Sequence, residues 1–230
     1  MKTIGMLGGM SWESTLTYYR LVNEGIKARL GGMHSAKVIL NSVDFAEVEA
    51  MQMADRWDDA TTLMIEAARQ VERGGADFLL ICTNTMHLMA AEVAASIDIP
   101  LLHIADATAE AIKAQGVATV GLLGTRFTME QDFYRGRLED PFGLNVLTPD
   151  EAGREMVHRV IYEELVLGQI VPESRAAYRQ IIGDLAQAGA GGIILGCTEI
   201  GLLVKPEDSP VPMFDTTEVH AAAAVEWALK

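Results

Sequence analysis

The chain has 230 residues, half of them hydrophobic and 22% charged, so at roughly 150 residues per domain it is one large α/β unit or two small lobes. Lys and Arg total 18 against 32 Asp and Glu, a formal charge of −14, and with no basic cluster such a chain excludes nucleic acid and anionic membrane as partners. Two cysteines without C-x-x-C spacing exclude a disulfide framework, and the absence of an 18-residue apolar run or a signal-peptide core predicts a cytoplasmic protein.

Residues 2–7 predict a buried strand, broken by Gly8 and Gly9, and residues 14–30 a helix ended by Gly31 and Gly32. A second strand is expected at 37–43, a helix at 58–73 stopped by Gly74 and Gly75, and a third strand at 78–82. A helix at 85–96, a short strand at 100–104 and a helix at 108–115 follow. Continuous apolar strands separated by helices indicate parallel sheet covered on both faces. At Val117 the pattern restarts. Thr3-Ile4-Gly5-Met6-Leu7-Gly8-Gly9 is echoed by Thr119-Val120-Gly121-Leu122-Leu123-Gly124-Thr125, an offset of 116 residues. The run from Gly75 through Phe78 to Asn84 is echoed from Gly189 through Ile193 to Thr198, an offset of 114. Two ungapped matches at nearly one offset predict two related lobes, 1–100 and 101–212, with 216–230 a helix that crosses back. A duplicated α/β chain is expected to place its ligand between the lobes, outside the carboxyl ends of the strands.

All four echoed motifs end there. Cys197, in Gly196-Cys197-Thr198-Glu199, falls at a strand-to-helix junction, where backbone N–H groups stabilise a thiolate, with Glu199 as a proton partner. The repeat aligns Cys197 with Thr83, and Cys82 with Gly196. Because successive strand residues face opposite ways, Cys82 is read as a packed core thiol. Thr83, Asn84 and Thr85 bring hydroxyls, an amide and backbone donors suited to a carboxylate, although helix capping alone would also select them. Met10 and Ser11 after the first glycine pair, and Thr125 after Gly124, are weaker anion-binding candidates, since their loops lack G-x-G-x-x-G spacing. His87 reads as a bystander as readily as a site residue.

Together the runs Ile4-Gly5-Met6-Leu7-Gly8-Gly9-Met10, Asn84-Thr85-Met86-His87, Ile161-Tyr162-Glu163-Glu164, Gly196-Cys197-Thr198-Glu199 and Val211-Pro212-Met213-Phe214-Asp215 resemble the aspartate/glutamate racemase superfamily, over nearly the whole chain. The resemblance implies an α/β fold of two pseudo-twofold related Rossmann-like lobes, each a parallel sheet flanked by helices, with the active site between them. It implies an isomerase of aspartate and glutamate that needs no cofactor and no metal, in a homodimer. Family members use one thiolate on each face of the substrate α-carbon. Here Thr83 stands at the first cysteine's position, which implies a rate-asymmetric enzyme with Cys197 as the competent base, Thr83 as proton donor and the L-amino acid as the better substrate. The residues expected at the strand ends to contact substrate are Met10, Ser11, Asn84, Thr85, Thr125, Thr198 and Glu199. The Arg and Lys that hold the distal carboxylate in archaeal-type aspartate racemases align with Val48 and Val166. Gln52 is a replacement by position, against a plainer reading as a solvated helix residue. Loss of one cysteine also keeps open a single-cysteine decarboxylase or a cis-trans isomerase of a dicarboxylate, and a non-catalytic carboxylate-binding protein.

Overall fold

The computed structural model describes all 230 residues. Its elements run β1 (Ile4–Gly8), α1 (Trp12–Leu30), β2 (Val38–Ser42), α2 (Phe45–Met53), α3 (Trp57–Arg73), β3 (Phe78–Ile81), a 3-10 helix (Thr85–Met89) and α4 (Ala90–Ala95). Then come α5 (Ile104–Ala114), β4 (Thr119–Gly124), α6 (Arg126–Glu130), α7 (Asp132–Glu139), β5 (Asn145–Leu147), α8 (Glu151–Glu163) and α9 (Pro172–Gln187). The chain closes with β6 (Ile193–Gly196), α10 (Ile200–Leu203), β7 (Met213–Asp215) and α11 (Thr216–Leu229). Two compact units divide them: Met1–Ile104 with His220–Lys230, and Ala105–Val219.

The first unit is built on a parallel sheet of order β2-β1-β3. Its strands are apolar on both faces because both are covered. Ile4, Met6, Phe78, Leu80 and Cys82 pack against Tyr18, Val22 and Ile26 of α1 and against Ala221, Ala224 and Val225 of α11. The alternate residues Leu7, Leu79 and Ile81 join Val48 of α2 and Met64, Ala67 and Val71 of α3. The period of two thus sorts the strand side chains between two cores. Cys82 belongs to the first, fully buried.

The second unit carries a parallel sheet of order β5-β4-β6-β7. Its first three strands repeat the order of the first unit, with the second copy of each echoed motif in the matching strand. Helix starts are capped by side chains suited to it: Asp150 Oδ1 accepts from Gly153 N at 2.8 Å at the head of α8, and Asp44 Oδ1 from Ala46 N at 3.1 Å at the head of α2. No helix is long and apolar enough to cross a membrane.

Two expected elements differ. Residues 85–96 form a 3-10 helix followed by the six-residue α4, not one α-helix. Residues 100–104 make only an isolated bridge, Leu101 to Leu79, because Pro100 has no N–H for a ladder and Ile104 already opens α5.

Candidate active site

In the second unit, β4 and β6 are in register with Gly124 opposite Gly196. The absence of side chains there lets the backbones approach: a Cβ on Gly196 would lie 2.8 Å from the Leu123 carbonyl oxygen. Thr125 and Cys197 therefore leave neighbouring strands side by side. The Thr125 hydroxyl caps α6, accepting from Thr128 N at 3.3 Å. The half-buried Cys197 donates Sγ–H to Glu199 Oε2 at 3.0 Å, and Thr198 Oγ1 donates to the same oxygen at 2.6 Å. Glu199 is itself buried.

This electrostatic setting reverses the expectation of a stabilised thiolate. Burial pushes the Cys197 thiol well above its usual range, and the neighbouring Glu199 carboxyl group pushes it further. α10 is only four residues long and supplies too little dipole to compensate. The resting site is a thiol hydrogen-bonded to a carboxyl oxygen.

Asp215 ends β7 beside Leu195 of β6. Its Oδ1 accepts from Thr217 N at 2.8 Å and Glu218 N at 3.2 Å, capping α11, while burial raises its carboxyl pKa to about 6. It adds to the upward push on Cys197. Asp215 is not among the site residues expected from the sequence; an aspartate between a closing apolar strand and a Thr-Thr helix start is the signal that marks it.

In the first unit the ends of β1 and β3 adjoin, with Cys82 N bonded to Leu7 O at 2.8 Å. Gly9 takes φ 93°, and a Cβ there would strike the Val43 backbone. Its N–H is held by Thr15 Oγ1 at 2.8 Å, and Thr15 in turn donates to Ser11 O at 2.9 Å. Met10 and Ser11 are buried beside it, and Ser11 heads α1 without a side-chain capping bond. Thr83 is half-buried, and Asn84 and Thr85 are buried at the entry to the 3-10 helix. Burial drives the Cys82 thiol far upward, so it is inert as a nucleophile.

Gln52 is not a solvated helix residue. It is buried on α2 and its Nε2 contacts Met86 Sδ at 3.2 Å, against the 3-10 helix that follows Thr83. Val48 lies wholly in the core and Val166 is half-buried. The structure thus gathers Met10, Ser11, Gln52, Thr83, Asn84 and Thr85 around strand ends of one unit, and Thr125, Cys197, Thr198 and Glu199 around those of the other. No group of three His, Cys, Asp or Glu side chains is placed to hold a metal ion.

The sequence model of the Asp/Glu/Hydantoin racemase family matches residues 7–224. A Yersinia pestis protein provisionally assigned as an Asp/Glu racemase is 55% identical, and its crystal structure superimposes with a TM-score of 0.94 over 100% of both chains. An aspartate racemase homologue from Pyrococcus horikoshii is 36% identical with a TM-score of 0.86, again over 100% of both chains. The broad specificity amino-acid racemase RacX of Bacillus subtilis is 23% identical over 96% of each chain.

Proposed function

Because the chain belongs to the Asp/Glu/Hydantoin racemase family, we propose that it is a cofactor-independent racemase that inverts the α-carbon of aspartate or glutamate. Cys197 is the base on one face of the substrate and Thr83 the proton donor on the other. The observation that carries this reading is the Cys197–Glu199 pair at the end of β6. It provides a sulfur base with an adjacent acceptor for its proton, at the position whose counterpart after β3 is a hydroxyl.

The proton balance is simple. Glu199 takes the Sγ proton, and the thiolate then removes Hα as a proton. The electron pair of that C–H bond delocalises into the substrate carboxylate as an enediolate. Thr83 delivers its hydroxyl proton to the opposite face and is reprotonated through water in the same event, since an alkoxide is far too basic to persist at neutral pH. The proton held by Glu199 returns to solvent, neutralises the hydroxide equivalent and restores the resting site, with Hα now on the Cys197 sulfur. Hydroxyl and amide groups at the buried Asn84 and Thr85 and at the half-buried Thr198 are suited to hold the substrate carboxylate and stabilise the charge that develops on it. Ser11 and Met10 line the neighbouring strand end, and Gln52 is the polar group available for a distal carboxylate.

The test follows deuterium incorporation at Cα in D₂O by NMR, separately for L- and D-aspartate and L- and D-glutamate, with the wild type and with Cys197→Ala. Exchange that is faster from the L-enantiomers and lost in the variant is the expected result. Absence of exchange from all four acids would remove the Asp/Glu racemase reading and turn attention to decarboxylation and isomerisation of dicarboxylates, or to ligand binding without turnover.

A further inference from the structure

Three of the five histidines lie together behind the end of β3, away from bulk water: His87, His103 and His220 are 2%, 6% and 0% exposed. His87 folds back one turn, its Nδ1 2.8 Å from the Thr83 carbonyl oxygen. On the other side of the ring, Ile104 N–H donates to His87 Nε2 at 3.2 Å. A nitrogen that accepts that hydrogen bond carries no proton, so the ring's proton is on Nδ1 and is donated to Thr83.

The ring cannot swing away. His103 packs edge-on against it with centroids 4.5 Å apart, and His220 at 6.0 Å. His220 is itself pinned, accepting from Tyr18 OH at 2.9 Å through Nδ1 and donating to Leu102 O at 2.9 Å through Nε2. The anchor therefore reaches from α1 and α11 to the strand end.

A carbonyl held on one side has a definite consequence for the other. The Thr83–Asn84 peptide is trans, so its C=O and N–H point in opposite directions. With the Thr83 oxygen fixed toward His87, the Asn84 N–H is turned the opposite way. We propose that His87 is a positioning residue for the racemase reaction: by holding the Thr83 carbonyl it fixes the orientation of the Thr83–Asn84 peptide, and so aims the Asn84 N–H at the substrate carboxylate. This rests on the functional reading above. Charge on that carboxylate grows as the enediolate forms, so a correctly aimed N–H contributes more to the transition state than to substrate binding.

Two amide replacements separate the two hydrogen bonds of the ring. In His87→Asn, Nδ2 reproduces the donor to Thr83 but leaves Ile104 N–H without its acceptor. In His87→Gln, the longer side chain reaches Ile104 but not the Thr83 oxygen. We expect His87→Asn to keep kcat for L-aspartate and L-glutamate within about threefold, and His87→Gln to lose about 100-fold in kcat with a smaller change in KM. The ¹⁵N–¹H resonance of Asn84 is expected to shift in the Gln variant and to stay near its wild-type position in the Asn variant. Equal losses in the two variants, or full activity in both, would overturn the positioning role. An unmoved Asn84 resonance in the Gln variant would do the same even if the wild type turned over none of the four acids. Wild-type inactivity by itself would count against the racemase reading, not against the orientation of the peptide.

Discussion

At Cys197 the side chain's identity was legible and its ionisation was not. The repeat aligned it with Thr83 and placed both at strand ends, because strand position depends only on the chain's apolar period. The thiol's charge depends on burial and on which oxygen of Glu199 comes to rest 3.0 Å from the sulfur, and neither is a property of spacing. Gln52 shows the same limit: its helix is short, and its burial against Met86 follows from how α2 packs. Glu199→Gln removes the neighbouring carboxylate that pushes the thiol up. The thiolate, followed by its absorbance near 240 nm or by iodoacetamide labelling against pH, should therefore appear at lower pH in the variant. Racemisation should nevertheless fall by about 100-fold, because the acceptor for the thiol proton is gone. A thiol that titrates at the same or higher pH in the variant would refute the electrostatic assignment. Thr83→Cys is the complementary change. It supplies a second sulfur base, and Cα–H exchange starting from the D-enantiomers should rise by at least about tenfold, with NMR in D₂O as the readout; no rise would mean that Thr83 does not face the α-carbon.

At the scale of elements, the strands with continuous apolar runs and the long helices α1, α3 and α11 were readable to within a few residues. What failed was short and local. The segment after Thr83 looks helical by composition, yet its first turn is a 3-10 helix whose geometry lets His87 reach back to the residue four before it. Residues around Pro100 look like a strand, but only one residue pairs. The glycines of the echoed motifs have a clearer explanation in the structure than in the sequence. Gly196 and Gly124 sit opposite each other where β4 and β6 close, and a methyl group on Gly196 meets Leu123 O at 2.8 Å and Leu122 Cδ1 at 2.9 Å. Gly196→Ala should cost about 1–3 kcal/mol of stability through overpacking and displace the adjacent Cys197. Gly183, in the middle of α9, has open space around it, and a methyl group there would meet nothing within 4 Å. Gly183→Ala should therefore stabilise by about 0.5–1 kcal/mol through helix propensity alone. Urea denaturation compares the two, and a Gly196→Ala protein as stable as wild type would show that the close approach of the strands is not a constraint.

Across the whole molecule, a formal charge of −14 makes acid stability a matter of which buried groups change their protons. Two such groups on or beside α11 act with opposite sign. Burial lowers the pKa of His220 to about 4 in the folded chain, below the free imidazole value of about 6.5. Between those values the unfolded chain binds more protons, so this contribution to stability is complete above about pH 6.5 and is lost as pH falls toward 4. Asp215 is the reverse case. Its folded pKa of about 6 lies above the free carboxyl value of about 3.9, so its contribution is present at low pH and is lost as pH rises through 6. Each shift corresponds to about 3 kcal/mol, and over pH 4 to 6 the two oppose each other. The variants Asp215→Asn, which keeps a capping oxygen for Thr217 N, and His220→Gln, which keeps a donor for Leu102 O, remove one group each. Relative to wild type, Asp215→Asn should lose stability as pH drops from 6.5 to 4.5, while His220→Gln should gain it. Urea midpoints at four pH values across that window measure both slopes. Parallel curves for all three proteins would mean that neither group changes its protonation on unfolding, and the acid response of the fold would then have to come from its exposed carboxylates.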